Sequence, residues 1–352
     1  MRFAFAAPAL LGLVGLFACN AIVGFHDLEK TPGKGSGSSS SGDDDDEVIP
    51  DPDSPCDLTK DFGAPVTLEG PINSNNNGYS GSATLSPDEL TIYFQRSTPP
   101  TGPDAGASGR LLKATRKKRT DQFGEPTELV ELAPSGNEAV PALRADGLAL
   151  FYAVEIPVPD IPNASRYQLN FATRATPTGI FEKPSRFKAT DSAFSYDTNP
   201  FPSADGTEVY FASLRNGESK GLRLFRSSKP AGKTDFGEPE ELVELRSDSE
   251  EFHAIVTNDG LTMYFASDRT PLPKNGGQID TYVAKRRDKT SRFENIEPLD
   301  SINSPAIDAP SWISKDSCRL YLERQIFEGD PREASAPPFG VIMMAERPPR
   351  SN

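Results

Sequence analysis

Histidine, tryptophan and cysteine are nearly absent from this chain, which has two, one and three of them in 352 residues. His26 and His253 are the only imidazoles, and no cysteine pair stands at metal-ligand spacing. A nucleophile elbow and a phosphate loop are also missing. Positive charge is short: 37 Lys and Arg face 51 Asp and Glu, and the net charge of -14 excludes a nucleic-acid binder by charge. The apolar run at residues 3–18 is shorter than a membrane span and follows Arg2, as a secretory segment does.

What is present at the N-terminus points to export. Leu16-Phe17-Ala18-Cys19 resembles the bacterial lipobox, with Phe17 and Pro8 departing from its usual pattern. The resemblance implies a signal peptide at 1–18, a lipidated Cys19 and, with Asn20 behind it, an outer-membrane lipoprotein. Residues 19–56 then form a tether rich in Gly, Ser, Asp and Pro that hides too little apolar surface to order itself. Its 29–55 stretch holds eight acids against two lysines, so part of the net charge lies outside the folded region. In an oxidising compartment the two remaining cysteines, Cys56 and Cys318, can form one disulfide that joins the ends of the domain.

The rest of the chain is repetitive. SPDELTIYF, RADGLALFY, SADGTEVYF, TNDGLTMYF and SKDSCRLYL align without gaps at Asp88, Asp146, Asp205, Asp259 and Asp316. Each unit reads as four strands, and the outer one opens with a Phe-Gly-x-Pro-like signal at Phe62, Phe123, Phe181, Phe236 and Phe293. The first such signal precedes the first Asp unit and none follows the fifth, so the N-terminal strand is expected to complete the last blade. The expected fold is an all-β, five-bladed β-propeller over 57–347, followed by a short tail at 348–352.

The pattern seen most fully from Asn199-Pro200-Phe201-Pro202-Ser203-Ala204-Asp205-Gly206 through Tyr210-Phe211-Ala212-Ser213 resembles the WD40-like (PD40) propeller repeat of TolB and related bacterial envelope proteins. That resemblance implies a fold and leaves function open, because such propellers serve scaffolds, binding proteins and some polysaccharide lyases. Glu89 and Ser317 stand where the turn glycine is expected.

Candidate site residues come from the repeat. Eight positions before each turn Asp lie Ser80, Glu138, Asp197, Glu251 and Asp308, expected to ring the central channel. Arg215 and Arg269, ten positions after the turn Asp, are expected to pair with Asp197 and Glu251. Glu138 and Asp308 have Ile156 and Ile326 at that offset, which makes them the candidates for a raised pKa, for calcium, or for glycosidase chemistry of the furanosidase type. His253, on an innermost strand two residues after Glu251, reads first as a packing or hydrogen-bonding residue, with a proton donor or metal ligand as the alternative. Long connections at 97–109, 155–166, 268–278 and 325–338 lie on the channel's face, where recognition usually resides. The expected function is a monomeric, cofactor-free, non-enzymatic binding or scaffold lipoprotein of the cell envelope that recognises a protein or glycan through those loops. The alternative is a polysaccharide-active glycosidase or lyase that uses the channel carboxylates.

Overall fold

The computed structural model describes residues 55–350, except 74–78, 99–107, 133–136, 159–160, 162–163, 191–195, 218–220, 274–275 and 327–338. The expected signal segment, Cys19 and nearly all of the tether lie outside the described residues. The described chain is all-β, with only single-turn 3-10 helices between strands.

Three groups of four strands form separate antiparallel sheets. They are β6 (Glu138–Leu143) to β9 (Ser185–Arg186), β10 (Asp197–Pro202) to β13 (Glu240–Glu241), and β14 (Glu251–Val256) to β17 (Glu294–Pro298). The remaining strands form one eight-stranded sheet. In it β18 (Ile307–Ile313), β19 (Arg319–Ile326) and β20 (Phe339–Glu346) continue into β2 (Tyr79–Leu85), β3 (Thr91–Thr98), β4 (Ser108–Thr115) and β5 (Thr127–Glu128). No sheet closes on itself, and this merger departs from the separate blades read from the repeat. Its cause is local: β2 and β20 meet in parallel at Tyr79 opposite Gly340, where the tyrosine ring lies in the space a Cβ would take.

β1 (Val66–Thr67) pairs antiparallel with β20, Val66 opposite Met344 and Thr67 opposite Met343. The two chain ends are further joined by Cys56–Cys318, by Asp57 N–H donating to the Pro348 carbonyl, and by a bridge between Cys56 and Pro349.

The repeated sequence signals become one repeated contact. A cation just after each third strand lies over the ring of the Phe signal: Arg116 over Phe123, Arg174 over Phe181, Lys229 over Phe236, Arg286 over Phe293 and Arg347 over Phe62, at 4.1 to 4.7 Å. The four arginines also donate to a tyrosine hydroxyl of the neighbouring strand group, Tyr321, Tyr93, Tyr210 and Tyr264 in turn. Lys229 has Phe151 at the corresponding place, a ring with no hydroxyl to offer.

Each turn Asp accepts the N–H two residues on in an Asx turn, seen at Asp88, Asp146, Asp205, Asp259 and Asp316. The residue after it is left-handed throughout, including Glu89 at φ 60° and Ser317 at φ 56°. The turn therefore keeps its shape without glycine, at a cost of about 1 kcal/mol. Buried Glu89 compensates with a bidentate bond from Arg319.

The Cys56–Cys318 bond closes a loop of 262 residues. Reducing it, or replacing both cysteines by serine, should cost roughly 2–5 kcal/mol. Urea unfolding with and without reductant tests this, and an unchanged midpoint would show that the strand pairing holds the ends alone.

Candidate functional site

The inner strands β2, β6, β10, β14 and β18 carry Ser80, Glu138, Asp197, Glu251 and Asp308 at equivalent positions, first or second in the strand and all essentially inaccessible. Desolvating a carboxylate is costly unless a charge and hydrogen bonds replace water. Arginines from the second strand supply most of that replacement. Arg215 Nη2 lies 2.9 Å from Asp197 Oδ1, and Arg269 Nη2 lies 3.4 Å from Glu251 Oε1.

At the ten-position offset Asp308 has only Ile326, and an arginine reaches it from another position. Arg324 Nε lies 2.6 Å from Asp308 Oδ1, and the Ser304 N–H and hydroxyl donate to Oδ2. The guanidinium comes from the residue directly opposite Asp308, two positions short of the offset used in β11 (Glu208–Ser213) and β15 (Thr262–Ser267). Arg96 stands likewise opposite Ser80 and donates to its Oγ. Arginine's long arm reaches the same place from either register, and Nη2 donates to the carbonyl of a preceding turn, at Ile72 for Arg96, Leu245 for Arg269 and Ile302 for Arg324.

Glu138 stands opposite Val154, and its charge adds to burial in pushing the Tyr152 phenol up. β2 packs between the strands that carry Glu138 and Asp308, and among the described residues no three His, Cys, Asp or Glu side chains are grouped to hold a metal. All four long connections, 97–109, 155–166, 268–278 and 325–338, lie partly outside the described residues.

The chemically distinctive place is where the repeat breaks. Arg223 opens β12 (Arg223–Ser228) and its Nη1 lies 3.2 Å from Glu251 Oε2 of the next group, while Glu251 N–H donates to the Leu222 carbonyl. One group further on, Asp308 N–H donates to the Ile279 carbonyl in the same way, but the residue in the arginine's position is Asp280, the first of β16 (Asp280–Lys285). An Arg–Glu pair has become an Asp–Asp pair. Asp280 is fully buried, Gly277 N–H donates to its Oδ1, and Oδ2 has no hydrogen-bond partner among the described residues. Burial first, then the charges of Asp308 and Asp300, pushes the Asp280 carboxyl up to about 6. Burial also raises Asp308, against the opposing pull of Arg324. Half-buried Glu250 is pushed up to about 7, mainly by burial and partly by Asp268 and Glu251.

A second cluster lies on the axis. Four inner strands carry a bulge whose residue is left-handed without being glycine: Ser82, Val140, Asn199 and His253, at φ 49° to 50°. With Pro310 and Ser311 they line a small cavity, about 20 Å³ of room for a water-sized guest, far too little for a sugar ring. Burial holds the His253 imidazole below its ordinary range, against the pull of Glu323.

No family model matches the chain, and no curated protein matches it in sequence. Solved structures match its shape. The catalytic domain of a GH62 α-L-arabinofuranosidase from Coprinopsis cinerea is 14% identical with a TM-score of 0.51, the match covering 81% of this chain and 96% of that one. An α-L-arabinofuranosidase from Podospora anserina is 13% identical, at 82% and 97% coverage and a TM-score of 0.47. A putative TolB from Agrobacterium tumefaciens is 14% identical, at 78% and 92% coverage and a TM-score of 0.37.

At such identities the likeness shows a propeller-type fold and nothing finer. The expected non-enzymatic binding or scaffold reading is withdrawn, since the match with a TM-score above 0.5 is the catalytic domain of a glycoside hydrolase.

Folded Asp280 and Glu250 hold protons that the unfolded chain releases near the ordinary values of 3.8 and 4.5. Their contribution to stability is complete below about pH 4 and is lost as pH rises through 6 and 7. Asp280→Asn should therefore stabilise the chain at pH 8 relative to wild type, by on the order of 2 kcal/mol, and by little at pH 4. Urea unfolding of both proteins at the two pH values measures the difference; an equal difference at both would contradict the assignment.

Proposed function

We propose that this chain is a glycoside-acting enzyme built on a closed ring of five four-stranded blades, with its acid pair at Asp280 and Asp308. Support for five blades is the cation-on-phenylalanine contact made five times, its last member joining Arg347 to Phe62 across the chain ends. β1 then serves as the outer strand of β18–β20. Export and tethering through Cys19 belong to the same reading and place the enzyme at the cell envelope, where glycans are at hand.

The observation that carries the chemistry is the Asp–Asp pair where the neighbouring joint has Arg223 and Glu251. Hydrolysis of a glycosidic bond uses two carboxyl groups in unlike environments, one that holds a proton and one that is ionised. Asp280, unpaired with any cation, is the proton holder and donates to the leaving oxygen. Asp308, held by Arg324 and Ser304, is the ionised partner that acts on water or on the anomeric carbon. Glu138 takes no part in the step. Substrate reaches the pair when the segment bearing Gly276 and Gly277, which packs directly on Asp280, moves aside. The GH62 and GH130 neighbours suggest arabinofuranosides and β-1,2-mannosides as first substrates.

Release of reducing sugar from arabinoxylan, mannan and aryl arabinofuranosides tests the proposal. Wild type should be active with a basic limb near pH 6, and Asp280→Asn and Asp308→Asn should each lose about a hundredfold or more. Inactivity of the wild type on the whole panel, or full activity of both variants, would refute it.

A further inference from the structure

The axial cluster has parts that the acid pair does not use. Glu323 on β19 is completely buried, and its Oε2 accepts from the Tyr79 hydroxyl at 2.5 Å, the Ser82 N–H at 2.6 Å and the Ser82 hydroxyl at 2.9 Å. Its Oε1 accepts from Gln325 Nε2 at 3.1 Å and lies 3.7 Å from His253 Nε2. On the other side of the imidazole, Asn199 Nδ2 lies 2.9 Å from the same Nε2. Asn199 is 5% exposed and lines the cavity, and its Oδ1 has no hydrogen-bond partner among the described residues.

The repeat shows how unusual this is. Position seven after the turn Asp is Ala153, Ala212 and Ala266 in three units, Gln95 in the first and Glu323 in the fifth. Gln95 Oε1 accepts the Val140 N–H of the next bulge, as Glu323 does for Ser82. A neutral amide suffices for that structural bond, so a buried carboxylate there brings charge that the bond does not require.

We propose that His253 Nε2, Glu323 Oε1 and Asn199 Oδ1 bind one divalent transition-metal ion, with Zn²⁺ the first to test, in the axial cavity. Bonds of about 2.0–2.2 Å put neighbouring ligand atoms roughly 3–3.5 Å apart, close to the separations present. A half-turn of the Asn199 amide exchanges Nδ2 for Oδ1 beside Nε2 and gives the orphaned oxygen a partner. One imidazole, one carboxylate and one amide oxygen suit a borderline cation better than calcium. Tyr79 and Ser82 act from behind, fixing the carboxylate's orientation. The cavity beside these groups has room for one water-sized guest, so the ion is a pin where β10, β14 and β19 meet, remote in role from glycoside chemistry.

The full chain, stripped with chelator, is titrated with Zn²⁺ by calorimetry and with Co²⁺ by visible absorption. One ion per chain is expected, with Co²⁺ giving the d–d bands of a nitrogen-ligated site. His253→Gln and Glu323→Gln should each weaken binding tenfold or more, and Tyr79→Phe about tenfold, with circular dichroism confirming the fold of each. Asn199→Asp, which adds charge without adding bulk, should tighten it, and serves if the His253 variant does not fold. Asp308→Asn should bind as wild type, which separates this site from the acid pair. Absence of binding by the folded wild type, or affinity unmoved by the His253, Glu323 and Asn199 substitutions, would overturn the proposal.

Discussion

The structure depends on a cation resting on a phenylalanine at the seam between the two ends of the chain. Arg347, five residues from the C-terminus, covers Phe62, which precedes the first full strand group, and reaches on to Tyr264. Everywhere else this contact joins residues close in sequence; here it spans nearly the whole chain. The direct worth of one such contact is about 1–2 kcal/mol, but its partner is a loop that would otherwise have to be closed by chance. The disulfide, the β1–β20 pairing and the Cys56–Pro349 bridge all act on this seam. Opening it would expose the long, apolar strand β20, so sealing it also protects an edge.

Among the inner strands the governing constraint is burial of charge. The acids that open the inner strands sit where water cannot reach, and such groups persist only with a cation or a full set of donors. The first, third, fourth and fifth inner strands meet an arginine that also clamps a turn carbonyl or a serine hydroxyl, tying the blade's second strand to the chain entering the blade. Charge here fixes how each strand enters. Against that background Asp280 is informative, because where the preceding joint sets Arg223 beside Glu251 it sets a second carboxyl beside Asp308, a repulsive contact at a cost that folding alone gives no reason to accept.

Much of this was legible in the residues. The Asp turn, the Tyr and Phe of the second strand and the Phe signal of the outer strand recur at fixed offsets, because each answers to backbone geometry that is the same in every unit. Arg324 was missed because a single offset was applied to a side chain long enough to work from two registers. Asp280 was beyond reach for a different reason: Arg223 follows its turn Asp by 18 residues and Asp280 follows its own by 21, since the intervening loop varies in length. Position-by-position alignment fails past such a loop. Glu323 was legible and overlooked; it is an acid in a column that is otherwise alanine and glutamine, ahead of any loop.

The two departures from the repeat sit differently with respect to the bulges. Ser82, Asn199 and His253 hold a left-handed backbone without glycine, at about 1 kcal/mol each, so that their side chains and N–H groups turn toward the axis. Val140 has the same backbone and nothing polar to present, which shows that the bulge belongs to the fold and that its chemistry is set by the side chain placed on it. The hub therefore gains a polar site by substitution alone, with no change of backbone. Asp280 needs no bulge either; it begins a regular strand and gains its character from the neighbour across the joint. In both places a symmetric scaffold supplies geometry five times over, and a single unit departs from the others to supply the chemistry.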